Sequence, residues 1–288
     1  MINKKYKDRL FCLLFGNEEY KDNILSLYNA LCNTSHTNTD DIQIYTIEDV
    51  IYIKMKNDVS ILLDSFLYLW EQQSTFNPNM PIRGLLYFGK MYDKYITENH
   101  LNIYGKTLIK LPTPKYTVLY NGMDKQPAFM QLKLSDSFIN PDTSGDFEWT
   151  ANMINLNDGK NDDLLDKCQP LKEYMILINE IRKNSENMKF EDAVDTAVTY
   201  CIEHNVLNGF LLKHRAEVLD VCITEYNEKS FVDGIREEGR KEGRKEGRKE
   251  GQNLLATVVL RLRNGETPEQ ILASGVDAKT IELAETIK

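Results

Sequence analysis

The sequence predicts an α/β fold followed by an all-helical region, and the spacing of its apolar residues is the basis of this prediction. Apolar residues recur at helical spacing over 6–32 and again over 82–96. Between them, residues 42–63 are rich in β-branched and aromatic residues with rough alternation, which is typical of strands. Residues 115–122 and 130–138 each predict a further strand. The order helix, strands, helix, strand is typical of an α/β domain.

Beyond the α/β region, the sequence divides into three further segments. The apolar periodicity over 164–230 is helical and shows no strand signal, so we expect helices there. A tetrapeptide repeat follows, and the C-terminal end predicts a helix and a helical hairpin. We therefore predict an α/β domain over 1–150 and a helical domain over 151–235. A repeat over 236–252 forms a linker or helix, and a small helical hairpin follows over 253–288.

The C-terminal hairpin carries two signals for the start of a helix. Thr267 and Gln270 have the spacing of a capping box, with Pro268 at the first helical position. Asp277 is placed to cap the last helix. These residues therefore predict where the last two helices begin.

The composition is ordinary for a soluble protein and argues against several classes. No apolar run approaches the ~18 residues that a membrane span needs, so we expect no membrane partner. The N-terminal stretch MINKKYKDRL is charged and lacks the apolar core of a signal peptide. The 5 cysteines are scattered without a CxxC pair, which favours reduced thiols and argues against a zinc site. We therefore expect a cytoplasmic protein.

The net charge of −9 is concentrated in one part of the chain. Residues 135–235 carry 9 basic and 20 acidic residues, a net charge of −11. Residues 1–134 carry 15 basic and 14 acidic residues, so the predicted α/β domain is almost neutral. A neutral domain can bind a phosphate backbone if its cations cluster on one surface.

The stretch NDVSILLDSFLYLWEQQ, residues 57–73, predicts a β-hairpin. Asp64 and Ser65 form the only polar pair in its middle, so they are the predicted two-residue loop. Such a loop fixes the register, and all cross-strand partners then have residue numbers that sum to 129. A slip of one residue would move every side chain to the other face of the sheet.

This register brings two carboxylates together. Asp58 would stand opposite Glu71 with Cβ atoms roughly 5 Å apart, and Gln73 would share their face. Like charges directly opposite destabilise a hairpin, so the pair needs a cation or a shared proton. Mg²⁺ prefers oxygen ligands of this kind, and a bound ion polarises phosphate and makes hydroxide available. The competing interpretation is that both acids are merely solvated at the ends of strands.

Five segments carry a resemblance to a known family. The segments KDRLFCLLFG, IEDVIYIKMKNDVSILL, LWEQQSTFNPNMPIR, LPTPKYTVLYNG and LKLSDSF, in this order, closely resemble the PD-(D/E)XK nuclease family of transposases, which is related to the Rpn recombination-promoting nucleases. The similarity covers roughly residues 4–138 and continues more loosely into the helical region and the glycine repeat. It implies a restriction-endonuclease-like core, in which helices flank a mixed sheet.

The resemblance also implies an active site. Asp58 matches the first motif acid, Glu71 the second, and Gln73 occupies the position of the motif lysine. Asp8, in the first helix, matches an auxiliary acid of the family. The implied cofactor is Mg²⁺, for which Mn²⁺ can substitute, held by Asp58 and Glu71. Because Gln73 replaces lysine, no ammonium group is available there to orient the attacking water.

Other polar residues have two interpretations each. Arg83 and Lys90 lie seven apart on the predicted helix, so they share a face and could contact DNA phosphates, or could simply solvate that helix. The histidines lack the spacing of metal ligands, and we interpret them as structural or surface residues; they stand at positions 36, 100, 204 and 214.

The repeat REEGRKEGRKEGRKEG, residues 236–251, has glycines at 239, 243, 247 and 251. Each glycine costs a helix about 1 kcal/mol, and neighbouring opposite charges return a few tenths each. The segment is therefore a solvated spacer or a marginal helix through which two copies of the chain associate. We expect a homo-oligomer formed through the C-terminal region, with the last hairpin serving protein interaction.

The expected function is that of a Mg²⁺-dependent DNA endonuclease, since the resemblance implies hydrolysis of phosphodiester bonds in DNA recombination, mobile elements or phage defence. A different class stays open. The missing lysine and the acidic middle segment favour a nuclease-derived interaction or DNA-binding protein whose catalysis is weak or lost.

Overall fold

The computed structural model describes residues 6–45, 59–142, 144–223 and 254–287. The chain divides into two compact units, residues 1–225 and residues 226–288. The first contains a six-stranded mixed sheet flanked by helices, and the described part of the second is helical. The predicted α/β class and the helical C-terminal part are therefore confirmed.

The first unit alternates helices with strands along the chain. Short 3-10 turns occur at Glu18–Tyr20, Thr39–Asp41 and Leu134–Ser137. The helices are α1 (Tyr6–Phe15), α2 (Lys21–Cys32), α3 (Met80–Glu98), α4 (Asp162–Lys167), α5 (Gln169–Ser185), α6 (Phe190–Glu203) and α7 (Asn208–Ile223). The strands are β1 (Gln43–Ile44), β2 (Val59–Leu63), β3 (Phe66–Gln73), β4 (Thr113–Tyr120), β5 (Phe129–Lys133) and β6 (Thr150–Asn155).

The sheet combines an antiparallel meander with parallel strands. Its strand order is β1-β2-β3-β4-β6-β5. Strands β1, β2 and β3 are antiparallel neighbours, whereas β3, β4 and β6 are parallel, and β5 returns antiparallel to β6. Helix α3 provides the crossover that a parallel β3–β4 pair requires. The carboxyl ends of β3, β4 and β6 therefore meet at one edge of the sheet.

The predicted hairpin register is confirmed. Val59 pairs with Trp70 and Leu63 with Phe66, so the partners have residue numbers that sum to 129. Asp64 and Ser65 form the loop, with φ of 51° and 63°. Both values lie in the left-handed region that a type I′ turn requires, and this turn matches the twist of the two strands.

Two apolar clusters cover the two faces of the sheet. The larger cluster contains residues from helices α1, α2, α5, α6 and α7. Tyr68 and Trp70 of strand β3 also belong to it. Helix α3 covers the other face, where Leu67 and Leu69 join the smaller cluster. Strand β3 is buried on both faces because it lies inside the sheet, and its alternating side chains reach two different cores.

The sequence prediction missed strand β6, and its boundary at 150/151 lies inside the first compact unit. Strand β6 begins at Thr150 and pairs with both β4 and β5, so residues on the two sides of that boundary share one sheet. The helices predicted over 164–230 are present as far as residue 223, and they pack in the same cluster as α1 and α2. Residues 1–225 are therefore one unit rather than an α/β domain and a separate helical domain.

The described part of the C-terminal unit has three helices, α8 (254–263), α9 (Pro268–Ala273) and α10 (Ala278–Ile287). The predicted capping box is present, since Gln270 N donates to Thr267 Oγ1 and Thr267 N donates to Gln270 Oε1. Asp277 Oδ1 accepts from Thr280 N at 2.9 Å, which confirms the predicted cap of α10. The repeat at 236–252 lies outside the described residues.

No helix within the described ranges is both long enough and apolar enough to cross a membrane.

Candidate functional site

Two of the three predicted catalytic residues, Glu71 and Gln73, lie at the end of strand β3. Glu71 and Gln73 follow Leu67 and Leu69 at every second position of β3, so all four share the face of the sheet that helix α3 covers. Glu71 is fully buried, and Gln73 is half-buried. Asp58 lies outside the described residues, so its position opposite Glu71 stays a prediction.

Side chains from α3 and β4 occupy both carboxylate oxygens of Glu71. Arg83 Nη2 donates to Oε1 at 2.8 Å, and the Tyr116 hydroxyl donates to Oε2. Arg83 Nη2 also donates to the Tyr87 hydroxyl at 3.1 Å. Arg83 and Tyr87 are one helical turn apart, which places both on the face of α3 that meets the sheet. We call Glu71, Arg83, Tyr87 and Tyr116 the Glu71 cluster.

Burial dominates the electrostatics of the Glu71 cluster. It raises the pKa of the Glu71 carboxyl above its usual value, while Arg83, Tyr116 and Tyr87 act in the opposite direction. Burial and the neighbouring carboxylate raise the pKa of the Tyr116 hydroxyl well above its usual value. The negative charge of Glu71 raises the pKa of Arg83 against the effect of burial, so the guanidinium stays charged. The cluster is thus a buried carboxylate held by one cation and two phenols.

Arg83 and Lys90 both lie on helix α3, as predicted. The Arg83 side chain is 30% exposed and its guanidinium is committed to Glu71. Lys90 is half-buried, and its Nζ is buried without a hydrogen-bond partner in the described structure. The contact of either residue with DNA stays a prediction.

Asp8 lies on the opposite face of the sheet from Glu71. Helix α1 packs into the larger apolar cluster through Leu10, Phe11 and Leu14. The charge of Asp8 acts on Lys7 and raises the pKa of the Tyr174 hydroxyl, which burial already holds well above its usual value. The structure therefore does not bring Asp8 and Glu71 together on one face, although α1 contacts β3.

A second polar group, which the sequence analysis missed, lies on this opposite face. Gln72 Nε2 donates to Asn121 Oδ1 at 2.7 Å, and Asn121 Nδ2 donates to the Tyr174 hydroxyl at 3.3 Å. Arg182 donates from Nη2 to the carbonyl of Asn121. Tyr174 in turn donates to the Lys7 carbonyl at 3.1 Å. We call Lys7, Gln72, Asn121, Tyr174 and Arg182 the Asn121 network.

One signal in the sequence could have located the Asn121 network. Gln72 and Asn121 are polar residues at the carboxyl ends of two strands that are otherwise strongly apolar. Where such strands are parallel neighbours, their polar ends meet at one edge of the sheet, and ligands bind there in α/β proteins. The parallel pairing of β3 and β4 was the missing information.

Two of the four histidines lie beside carboxylates. His36 pairs with Asp64 at 3.0 Å, and His214 pairs with Glu217 at 2.9 Å. Within the described parts of the chain, no three His, Cys, Asp or Glu residues come together as a metal site. The 5 cysteines all lie within the described residues, and none of them forms a disulfide.

A cavity of about 670 Å³ lies elsewhere on the first unit. Its lining includes Lys133, Asp136 and Glu148 but none of the predicted catalytic residues.

The donor chemistry at Glu71 suits the divalent cation that the family resemblance implies. A fully buried carboxyl group is stabilised by a cation or by a proton, and the Arg83 guanidinium lies beside Glu71 in the described structure. A metal ion at Glu71 would therefore compete with Arg83 for Oε1. Oxygen ligands from Glu71, Gln73 and the predicted Asp58 are of the type that Mg²⁺ and Mn²⁺ accept.

No protein-family model matches this sequence, and no curated protein or solved structure matches it. The resemblance to PD-(D/E)XK nucleases therefore stays a prediction.

Proposed function

We propose that this protein is a metal-dependent DNA endonuclease with a PD-(D/E)XK core. The observation that carries the proposal is the end of strand β3, where Glu71 and Gln73 share one face beside a hairpin with the predicted register. The order of elements supports it, because an antiparallel meander is followed by a crossover helix and a parallel strand. The prediction that Asp58 stands opposite Glu71 completes the proposed site.

In this proposal each residue of the site has one role. Glu71 and Asp58 hold the divalent cation, which polarises the phosphate and lowers the pKa of water. Tyr116 orients the Glu71 carboxylate through its hydrogen bond to Oε2. The Gln73 amide orients water or substrate by hydrogen bonding, since it carries no charge. The protein acts in the cytoplasm on DNA, in recombination, mobile elements or phage defence.

Nicking of a supercoiled plasmid tests the proposal. We expect wild-type protein to cut the plasmid with Mg²⁺ or Mn²⁺ and not with EDTA. Glu71→Gln and Asp58→Ala should abolish cleavage because each removes a proposed metal ligand. Glu186→Gln is a matched control, since Glu186 is exposed and belongs neither to the Glu71 cluster nor to the Asn121 network. Equal cleavage by wild type and Glu71→Gln would remove Glu71 from the active site.

A second candidate function has its own supporting observation. Arg83 and Tyr116 already satisfy both oxygens of the fully buried Glu71, and Gln73 stands where the resemblance implies lysine. These features suit a nuclease-derived protein that binds DNA or a protein partner without cutting. DNA binding without cleavage at any divalent cation would favour this function over the endonuclease.

A further inference from the structure

A long loop with exposed apolar side chains joins helix α3 to strand β4. It spans residues 99–112, which is longer than most connections within a domain. Both of its ends are held, since Leu101 N donates to the Ile96 carbonyl at 2.9 Å. The Tyr92 hydroxyl donates to the Pro112 carbonyl, also at 2.9 Å. Between these anchors lie four exposed apolar residues, Ile103, Tyr104, Leu108 and Leu111. We call residues 99–112 the Tyr104 loop.

The apolar residues of the Tyr104 loop are too exposed to serve its own core. Their exposed fractions range from 41% for Leu111 to 91% for Tyr104. Apolar residues grouped in this way on one loop are typical of an interaction surface.

The Tyr104 loop is positively charged, although the chain has a net charge of −9. It contains Lys106 and Lys110, both exposed, and no acidic residue. The loop thus combines apolar contact area with two cations. A complementary surface has to be both apolar and acidic.

A surface of this kind surrounds the cavity of about 670 Å³ on the same unit. We call it the acidic cavity, since its lining includes the aromatic residues Phe138 and Phe147, the acids Asp136, Asp142 and Glu148, and one lysine, Lys133. Hydrogen bonds from Ser135 lower the pKa of the Glu148 carboxyl, so this group is charged at neutral pH. Hydrogen bonds from Ser144 lower the pKa of Asp142 in the same way. The volume is that of a pocket for a drug-sized ligand, so it can accept several side chains.

The Tyr104 loop and the acidic cavity lie at the same edge of the sheet. The loop directly precedes strand β4, and the segment around the cavity, residues 134–149, directly precedes strand β6. Because β4 and β6 are parallel neighbours, their amino ends lie side by side. Within the described residues, the lining of the cavity contains no part of the loop. A twofold axis at this edge can therefore bring the loop of each copy to the cavity of the other, which gives a closed interface.

We propose that two copies of the chain associate through the amino edge of the sheet, with the Tyr104 loop of each copy in the acidic cavity of the other. The apolar side chains of the loop pack against Phe138 and Phe147, while Lys106 and Lys110 pair with the carboxylates of the cavity. Burial of the apolar residues drives the association, and the charges select the partner surface. Glu71 lies towards the opposite end of β3, so the association is independent of the proposed function.

Charge reversal in the full chain tests the pairing of loop and cavity. We expect the wild type to form at least a dimer in analytical ultracentrifugation. The loop variant Lys106→Glu/Lys110→Glu and the cavity variant Asp136→Lys/Asp142→Lys should each raise the dissociation constant by about tenfold or more, because like charges then face each other. An equimolar mixture of the two variants should associate as the wild type does, since every loop then meets a cavity of opposite charge.

The matched control is Lys160→Glu/Lys189→Glu, at two exposed lysines outside both surfaces. It changes the net charge of the chain as the loop variant does and should leave association unchanged. Equal weakening by the control, or no recovery in the mixture, would overturn the proposal. A monomeric wild type would also overturn it. If the loop variant then bound a short DNA duplex less tightly than the control, the loop would belong to a nucleic-acid surface instead.

Zero-length cross-linking of amines to carboxylates identifies the contact even if the C-terminal region also joins the copies. A mixture of ordinary and heavy-isotope protein distinguishes links between two copies from links within one copy. We expect links between copies that join Lys106 or Lys110 to the acids of the cavity. If all links between copies involve other residues, the proposed interface is wrong, whatever the plasmid assay shows.

Discussion

At the scale of single residues, burial explains why charged groups in this protein are found in networks. Glu71 has no contact with solvent, and its negative charge is tolerated because a guanidinium and two phenols surround it. Lys7 is almost as deeply buried, and the charges of Arg182 and Asp8 act on its pKa in opposite directions.

Removal of Arg83 tests how far Glu71 depends on its cation. We expect Arg83→Met to lower the free energy of unfolding by about 3 kcal/mol, because it leaves a buried carboxylate without a counter-charge. If a metal binds Glu71, Mn²⁺ should restore more stability to Arg83→Met than to wild type, since the ion no longer competes with Arg83. Denaturant unfolding with and without Mn²⁺ measures both effects.

The Arg83→Met experiment also shows whether Glu71 is charged in the folded protein. A small loss of stability that Mn²⁺ does not change would mean that Glu71 is protonated and uncharged in the folded protein. The double variant Glu71→Gln/Arg83→Met should lose less stability than the two single variants combined, because neither partner is left alone.

The pH dependence of stability tests the environment of Lys7. Its pKa is lowered from 10.5 to about 8, first by burial and then by Arg182. The folded protein therefore holds this proton less tightly than the unfolded chain. The contribution of Lys7 to the free energy of unfolding is therefore most favourable above 10.5, its pKa in the unfolded chain. This contribution is lost as the pH falls towards 8, its pKa in the folded protein. Asp8, Tyr6 and Tyr174 also act on this region or titrate beside it.

The difference between wild type and Lys7→Met isolates this contribution from the other groups. We expect the free energy of unfolding of wild type, relative to Lys7→Met, to fall by about 2 kcal/mol as pH is lowered through this interval. Urea unfolding of both proteins at several pH values measures the difference. A difference that stays constant would show that Lys7 is freely solvated.

At the scale of elements, helix α3 is fitted closely to the sheet at one end of the site. Gly84 lies against β4, and a Cβ at this position would come within 2.5 Å of Tyr116 Cε1 and 2.8 Å of Trp149 Nε1. A Cβ at Gly89, five residues further along α3, would have no other atom within 4 Å. The absence of a side chain at Gly84 therefore allows Tyr116 to reach Glu71.

Alanine substitutions at these two glycines should have opposite effects. Gly89→Ala should raise the free energy of unfolding by about 1 kcal/mol, because alanine has the higher helix propensity at an exposed position. Gly84→Ala should lower it by about 1–3 kcal/mol, since overpacking displaces Tyr116 and Trp149. Denaturant unfolding compares the two variants. Equal effects would show that α3 can move away from the sheet without cost.

At the scale of the whole molecule, the chain forms two compact units, residues 1–225 and residues 226–288. The first has a continuous apolar cluster that joins α1 to the helices up to α7. The second has its own small cluster, formed by Val258, Leu262, Ile271, Ile281 and Ala284. Each unit thus has a core of its own, as expected of independently folding domains.

Truncation after residue 230 tests this division. We expect the 1–230 fragment to unfold cooperatively at a temperature within a few degrees of the main transition of the full chain, because its core is intact. If the C-terminal region forms the proposed oligomer, the fragment should also have a smaller assembly mass than the full chain. Calorimetry and light scattering measure the two properties. An insoluble fragment would show that the C-terminal unit supports the first core.

The sequence by itself determined the features that depend on neighbours in the chain. Asp64-Ser65 set the hairpin register because a two-residue loop has one geometry, and Thr267, Gln270 and Asp277 set helix starts because their side chains bond to nearby backbone.

Only the tertiary structure decided which distant residues meet. Strand β6 has a weak strand signal and exists because β4 and β5 bond to it from both sides. Arg83 lies only 12 residues after Glu71 in the chain. Even so, the two form an ion pair only because α3 packs on the sheet. Lys7 and Tyr174 are far apart in sequence, and the Tyr174 hydroxyl reaches the Lys7 carbonyl because α1 and α5 pack on one face of the sheet. Such contacts form when apolar faces are buried against each other. The periodicity of the sequence identifies these faces but does not show which of them pack together.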